Sequence, residues 1–189
     1  MSPILIRPVR EQLEHDRIIR LLHARLRRRF DIAVNLGPDQ NTPVRFGRLV
    51  LYPDLVLTST GRGHRLAGLV EVETGESVNH LEAMAQWAHF SRVRVPFSLY
   101  VPAASVDMAR RLCADHQVAA AEIWGFHSVG GQVRFTLVHR APAPTAPSRA
   151  RSRARAARAA SRKPAGRASG RTAKRQSPVR KSGRSQKRK

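Results

Sequence analysis

Leu51-Tyr52-Pro53-Asp54-Leu55-Val56-Leu57 and Leu69-Val70-Glu71-Val72-Glu73-Thr74 decide how this chain is read. Side chains on a strand alternate between faces. Glu71 and Glu73 therefore share one face, while Val70 and Val72 share the other and point into a core. The loop Gly61-Arg62-Gly63-His64 between the two segments has the composition of a hairpin connection. Antiparallel pairing then brings Asp54 toward both glutamates. Three carboxylates at a sheet edge suit a hard divalent cation, Mg²⁺ or Mn²⁺. The alternative for Glu71 and Glu73 is a solvated strand face, the commonest use of alternation in antiparallel sheets.

Around this pair the pattern predicts an α/β domain. Residues 8–30 read as an amphipathic helix, with Ile18, Ile19, Leu22, Leu26 and Phe30 on one stripe and Arg17, Arg20, Arg27 and Arg28 on the other side. Extending the stripe toward the N-terminus brings His15 and then Glu11 onto it. Turn chemistry follows at Gly37-Pro38-Asp39 and Asn41-Thr42-Pro43. Strands are expected at 45–50, 54–60 and 66–74. A helix capped by Ser77 runs to about Phe90, with Val78, Leu81, Ala85 and Ala88 inward and Met84 at the margin. A buried strand at 97–101 precedes a helix at 105–116. Two strands, 121–126 and 132–138, close on a Gly130-Gly131 turn. The order is helix, three strands, helix, strand, helix, two strands, which implies a mixed central sheet flanked by helices.

Charge divides the 189 residues in two. Residues 1–140 hold 18 arginines and all 13 acids, a net charge of 18 − 13 = +5. Residues 141–189 hold 17 basic residues and no acid. Every lysine lies in that second part, the first being Lys163, so lysine is excluded from any chemistry of the first part. Residues 141–189 are rich in Ala, Arg, Lys, Pro, Ser and Gly, and Val179 is their only large aliphatic residue. Such a segment is expected to be a disordered basic tail. Its charges, among them Arg151, Arg153, Lys163, Lys174 and Lys181, form a counterion-releasing polycation suited to nucleic acid. It lacks the interleaved Leu, Phe or Trp of a membrane-inserting segment, so nucleic acid is favoured over a membrane surface. The single cysteine, Cys113, excludes a disulfide framework. No signal peptide and no membrane span are read from the sequence, which points to a reducing, intracellular location.

The Pro53-Asp54 pair, the Glu71-Val72-Glu73 strand and the element order together resemble the PD-(D/E)XK nuclease superfamily, over roughly residues 8–127. The resemblance implies a restriction-endonuclease-like fold and a Mg²⁺-dependent phosphodiesterase site at the sheet edge. Asp54 corresponds to the family's metal-binding aspartate and Glu71 to the acid of its E-x-K element. Glu73 stands where the family usually has lysine. The backbone carbonyl of Val72 corresponds to a frequent further ligand. Glu11, with Glu14 as the alternative, corresponds to the glutamate that many members carry on an N-terminal helix. Gln86-Trp87-Ala88-His89-Phe90 is similar to the Gln-x-x-x-Tyr element of some branches, although Gln86 falls opposite the apolar stripe of its helix. In this reading Asp54, Glu71 and Glu73 are catalytic. Gln86, Arg17, Arg20, Arg27, Arg28 and the tail contact nucleic acid, with DNA ahead of RNA. Arg62 or Arg65 is the candidate to replace the missing lysine.

The expectation is thus a hydrolase of phosphodiester bonds, cytoplasmic and, in a bacterium, nucleoid-associated. The first alternative is the same fold with a silent site, serving as a nucleic-acid-binding or structural module. The second is an interaction domain whose tail only localises it. Of the histidines, His15 reads as an edge packing residue rather than a ligand. Trp87 and Trp124 read as core anchors.

Overall fold

A computed structural model describes residues 8–36 and 40–142. The Gly37-Pro38-Asp39 turn, the disorder of the basic tail and the roles given to Arg151, Arg153, Lys163, Lys174 and Lys181 lie outside the described residues.

The elements follow the expected order with two additions. Helix α1 spans Val9–Leu26 and strand β1 spans Phe30–Val34. Next come β2 (Val44–Phe46), β3 (Leu49–Leu51), β4 (Leu55–Ser59) and β5 (Leu66–Val72). A continuous helical stretch is made of α2 (His80–Glu82), a π-helical segment (Ala83–Trp87) and α3 (Ala88–Phe90). Strand β6 (Phe97–Pro102), a 3₁₀ turn (Ala103–Ser105) and α4 (Val106–Asp115) precede β7 (Glu122–Val129) and β8 (Gln132–Arg140).

Six strands form one mixed sheet in the order β1-β4-β5-β6-β7-β8. β1, β4 and β5 pair antiparallel, β5, β6 and β7 run parallel, and β8 returns antiparallel to β7. The two parallel junctions are made possible by the helical crossovers between β5, β6 and β7. The β7–β8 turn uses Gly130 and Gly131 at φ +55° and +78°, the left-handed backbone that a two-residue hairpin turn requires.

Two apolar layers cover the sheet. Ile18, Ile19 and Leu22 of α1 pack on Leu55, Leu57, Val70 and Val72. Trp87, Phe90, Ala109 and Leu112 pack with Val56, Leu69, Leu99 and Ile123 in the second cluster. Val70 and Val72 thus point into a core, as their alternation predicts.

Three sequence expectations are corrected. The first helix stops at Leu26, and Phe30 starts an edge strand rather than closing the helix stripe. Residues 45–50 are not one strand but parts of the β2–β3 hairpin, which turns at Gly47 (φ +60°) and forms its own two-stranded sheet. The second helix is capped by Asn79, whose side chain accepts the amides of Leu81 and Glu82. Ser77 instead has its hydroxyl oxygen accept the amide of Thr74 at 2.8 Å.

The π-helical segment also rotates that helix away from the expected stripe. Glu82, Ala83, Trp87 and Phe90 are buried, whereas Leu81 and Met84 are exposed. A π turn carries more residues than an α turn, so it breaks the 3.6-residue spacing on which the sequence reading relied.

Candidate functional site

The start of β4 and the end of β5 meet at one end of the sheet. Antiparallel register pairs Leu55 with Val70, so Asp54 and Glu71 stand side by side one residue further on. Proline at position 53 has no amide to donate. It ends the segment before β4, leaving Asp54 at the bend where the strand begins.

All three carboxylates of the sequence reading are buried: Asp54, Glu71 and Glu73 are 8%, 3% and 0% exposed. The solvated-face alternative for Glu71 and Glu73 therefore does not hold. Helix α1 lies over one face of β5 and the α2–α3 stretch over the other, so both glutamates lie within the fold. Burying a carboxylate is costly unless hydrogen bonds hold it.

Asp54 Oδ2 accepts the Val72 amide at 2.8 Å and lies 3.1 Å from His15 Nε2. Glu71 Oε2 accepts the Asp54 amide at 3.1 Å. Asp54 and Glu71 are thus knit reciprocally, each side chain bound to a backbone amide on the opposite segment. Glu73 Oε1 accepts the Trp87 indole N–H at 2.7 Å, and the Glu73 amide donates to the Tyr100 carbonyl at 2.8 Å.

The N-terminal helix contributes two further groups. Half-buried Glu11 accepts the Thr74 hydroxyl at 3.2 Å, next to Glu73 in sequence, whereas Glu14 is exposed. His15 is 3% exposed and contacts Asp54 across 39 positions of sequence. The sequence reading took it for a packing residue. Its place on the inward stripe was the available signal, because a polar ring there must find a polar partner.

Gln86 also departs from expectation. It is half-buried within the π-helical segment, and its amide donates to the buried Glu82 at 2.6 Å. Its neighbour Trp87 is fully buried and is the anchor of the second cluster as well as the donor to Glu73.

The arginines are placed apart. The β4–β5 loop carrying Arg62 and Arg65 joins the other ends of the two strands. Five strand residues at about 3.3 Å each set it roughly 17 Å from Asp54. Neither arginine therefore stands in for a lysine at the carboxylates. Arg17 and Arg20 are exposed on α1, and Arg27 and Arg28 are exposed in the turn that follows it. Arg17 donates to the Gly131 carbonyl at 2.5 Å, tying α1 to the β7–β8 turn, and Arg20 lies 3.8 Å from Asp16. Trp124 stacks on Tyr100 with planes 4° apart, and Arg25 covers Trp124 at 5.3 Å from its centroid. Trp124 is thus a half-buried packing residue.

Burial pushes the Tyr100 hydroxyl up to about 12, with Arg25 opposing and Glu122 adding to the shift. Burial pushes the Cys113 thiol up to about 11, so it stays a protonated core residue near neutral pH.

As a donor set, Asp54, Glu71 and the Val72 carbonyl are hard oxygens, the chemistry that Mg²⁺ or Mn²⁺ takes. Among the described residues, no three of His, Cys, Asp and Glu are drawn together closely enough to hold an ion in this arrangement. Among the described residues no helix is long and apolar enough to cross a membrane. No protein-family model, curated protein or solved structure matches the chain.

Proposed function

We propose that this chain is a metal-dependent phosphodiesterase of the PD-(D/E)XK type, acting on nucleic acid and held to it by its basic C-terminal segment. The observation that carries the reading is the reciprocal pair of buried carboxylates, Asp54 and Glu71, where β4 begins and β5 ends. Two further features support it. The helix, antiparallel strands, helix and parallel strand follow the order that suggested the resemblance. The acids also lie by the carboxyl end of a parallel strand, where open α/β sheets bind their ligands.

Asp54 and Glu71 would hold Mg²⁺ or Mn²⁺, with the Val72 carbonyl beside them and Glu11 at the margin. Such an ion lowers the pKa of a bound water and neutralises charge on the leaving oxygen. The chain's own residues do the rest. His15 orients Asp54. Trp87 holds Glu73 in place, so Glu73 acts through position and charge behind the pair. Arg20 on α1 and Arg27 and Arg28 in the turn after it offer phosphate contacts. The 17 positive charges of residues 141–189 supply affinity without sequence preference. DNA is the substrate class and the nucleoid the bacterial location that this charge favours.

Asp54→Ala and Glu71→Ala test the reading directly. Each should abolish Mg²⁺- or Mn²⁺-dependent cleavage of DNA and lower Mn²⁺ binding in titration calorimetry. Equal Mn²⁺ binding by wild type and both variants would sink it. The silent-site reading is favoured by one observation, the engagement of a fully buried Glu73 with Trp87 where the family usually has lysine. Wild type that binds DNA but cleaves no DNA or RNA under varied metals would establish that reading instead.

A further inference from the structure

We propose that His80 and His116 form a binding site for one late first-row divalent ion of the Zn²⁺, Ni²⁺ or Cu²⁺ class. The site is separate from the carboxylates and does not rest on the nuclease reading.

The two rings come from elements 36 residues apart in sequence, the start of α2 and the end of α4. His80 Nδ1 and His116 Nε2 lie 2.9 Å apart at the surface. The rings are nearly perpendicular, at 77°, with centroids 5.2 Å apart. Two metal–nitrogen bonds of about 2.05 Å meeting at a right angle set their nitrogens about 2.9 Å apart, and a tetrahedral angle sets them at about 3.3 Å. The observed separation matches the first case, and rotation of the exposed His80 ring brings it toward the second. One ring nitrogen donates to the other in the structure. When an ion takes that place, the donating ring moves its proton to its other nitrogen and both rings bind as neutral imidazoles. Water completes the shell.

Both ligands are held by their backbones. Asn79 Oδ1 accepts the Leu81 and Glu82 amides at 2.9 and 3.1 Å, which fixes the first turn around His80 and covers its positive end. His116 closes α4, its amide donating to the Leu112 carbonyl at 3.0 Å. Gln117 follows at φ 53°, and Val118 bonds back to Cys113 at 2.8 Å. The carbonyl end of α4 favours a cation beside His116. Imidazole pairs select Zn²⁺, Ni²⁺ and Cu²⁺ over Mg²⁺, which takes oxygen ligands. Residues 141–189 contain no histidine, cysteine or acid, so the full chain is a clean subject for the test.

Zn²⁺ is the probe, with thermal unfolding and titration calorimetry as readouts. Wild type at about pH 7.5 should bind Zn²⁺ and gain about 5 °C in Tm at a hundredfold excess over Kd. His80→Gln and His116→Gln should each remove the gain. Either variant alone suffices, since each deletes one of two ligands. Mg²⁺ should give no such gain through these residues. Glu71→Ala should keep the Zn²⁺ gain. A gain that survives both histidine substitutions, or one lost in Glu71→Ala but kept in His116→Gln, would overturn the proposal and place the ion elsewhere.

Discussion

The two ends of the β4–β5 pair share the same strands and treat polar residues in opposite ways. At one end Asp54, Glu71 and Glu73 are buried and bound to the Val72 and Asp54 amides and to the Trp87 indole. At the other, Gly61, Arg62, Gly63, His64 and Arg65 stand in solvent, with His64 3.3 Å from an exposed Asp31. The difference follows from what covers each end. Helix α1 and the α2–α3 stretch enclose the carboxylates, whereas the far loop closes the hairpin beyond both layers. A polar residue under cover must be satisfied geometrically, so its position is specified. A polar residue in a surface loop is satisfied by water, so its position is free.

The largest test of this contrast is Trp87→Ala. It empties a fully buried site and removes the donor to Glu73, so about 4 kcal/mol of stability should be lost in urea unfolding. Trp87→Phe removes the donor but keeps most of the volume and should cost about 1–3 kcal/mol. A loss below about 1 kcal/mol in the alanine variant would mean that the enclosed end is not rigidly packed.

A second test uses pH. The Tyr100 hydroxyl is raised from 10.0 to about 12 by burial, on the strand whose carbonyl receives the Glu73 amide. The unfolded chain loses this proton first as pH rises, so the contribution is complete below pH 10.0 and is lost toward about 12. Tm should fall across that window, and Tyr100→Phe should flatten the fall. A wild-type profile identical to that of the variant would show that the ring is open to water.

The smallest effect belongs to the far loop. Arg62→Ala and Arg65→Ala should each change stability by less than about 0.5 kcal/mol. A larger loss would show that the loop is packed and would erase the contrast.

How much of this was legible follows from the same physics. The β4 and β5 segments and the convergence of Asp54 with Glu71 were readable because alternation and a hairpin loop fix which residues meet. Strand β1 was missed because Phe30 continues the spacing of Ile19, Leu22 and Leu26, and no glycine or proline marks the turn before it. The β2–β3 hairpin was read as one strand because its two arms are only three residues each and Gly47 is the only glycine or proline between them. Trp87 was legible as a core anchor, but its bond to Glu73 and the contact of Gln86 with Glu82 were hidden by the π-helical segment, to which helical spacing is blind. The contact of His15 with Asp54 joins positions 39 apart, and only the stripe on α1 hinted at it. Arg62 and Arg65 were candidates to replace the lysine, although the hairpin pairing itself sets their loop at the strand ends opposite the carboxylates.

Strand β8 borders the sheet along nine residues, and among the described residues one side of its backbone has no partner strand. Such an edge is a template onto which another extended chain can align, and proteins blunt it with charge. Here Arg134, His139 and Arg140 stand exposed along it, and Arg140 is bound to Glu122 at 3.0 Å. A second β8 aligned parallel and in register would set Arg134 beside Arg134, so charge opposes that pairing. Such repulsion disfavours the stacking of identical strands through which fibrils grow.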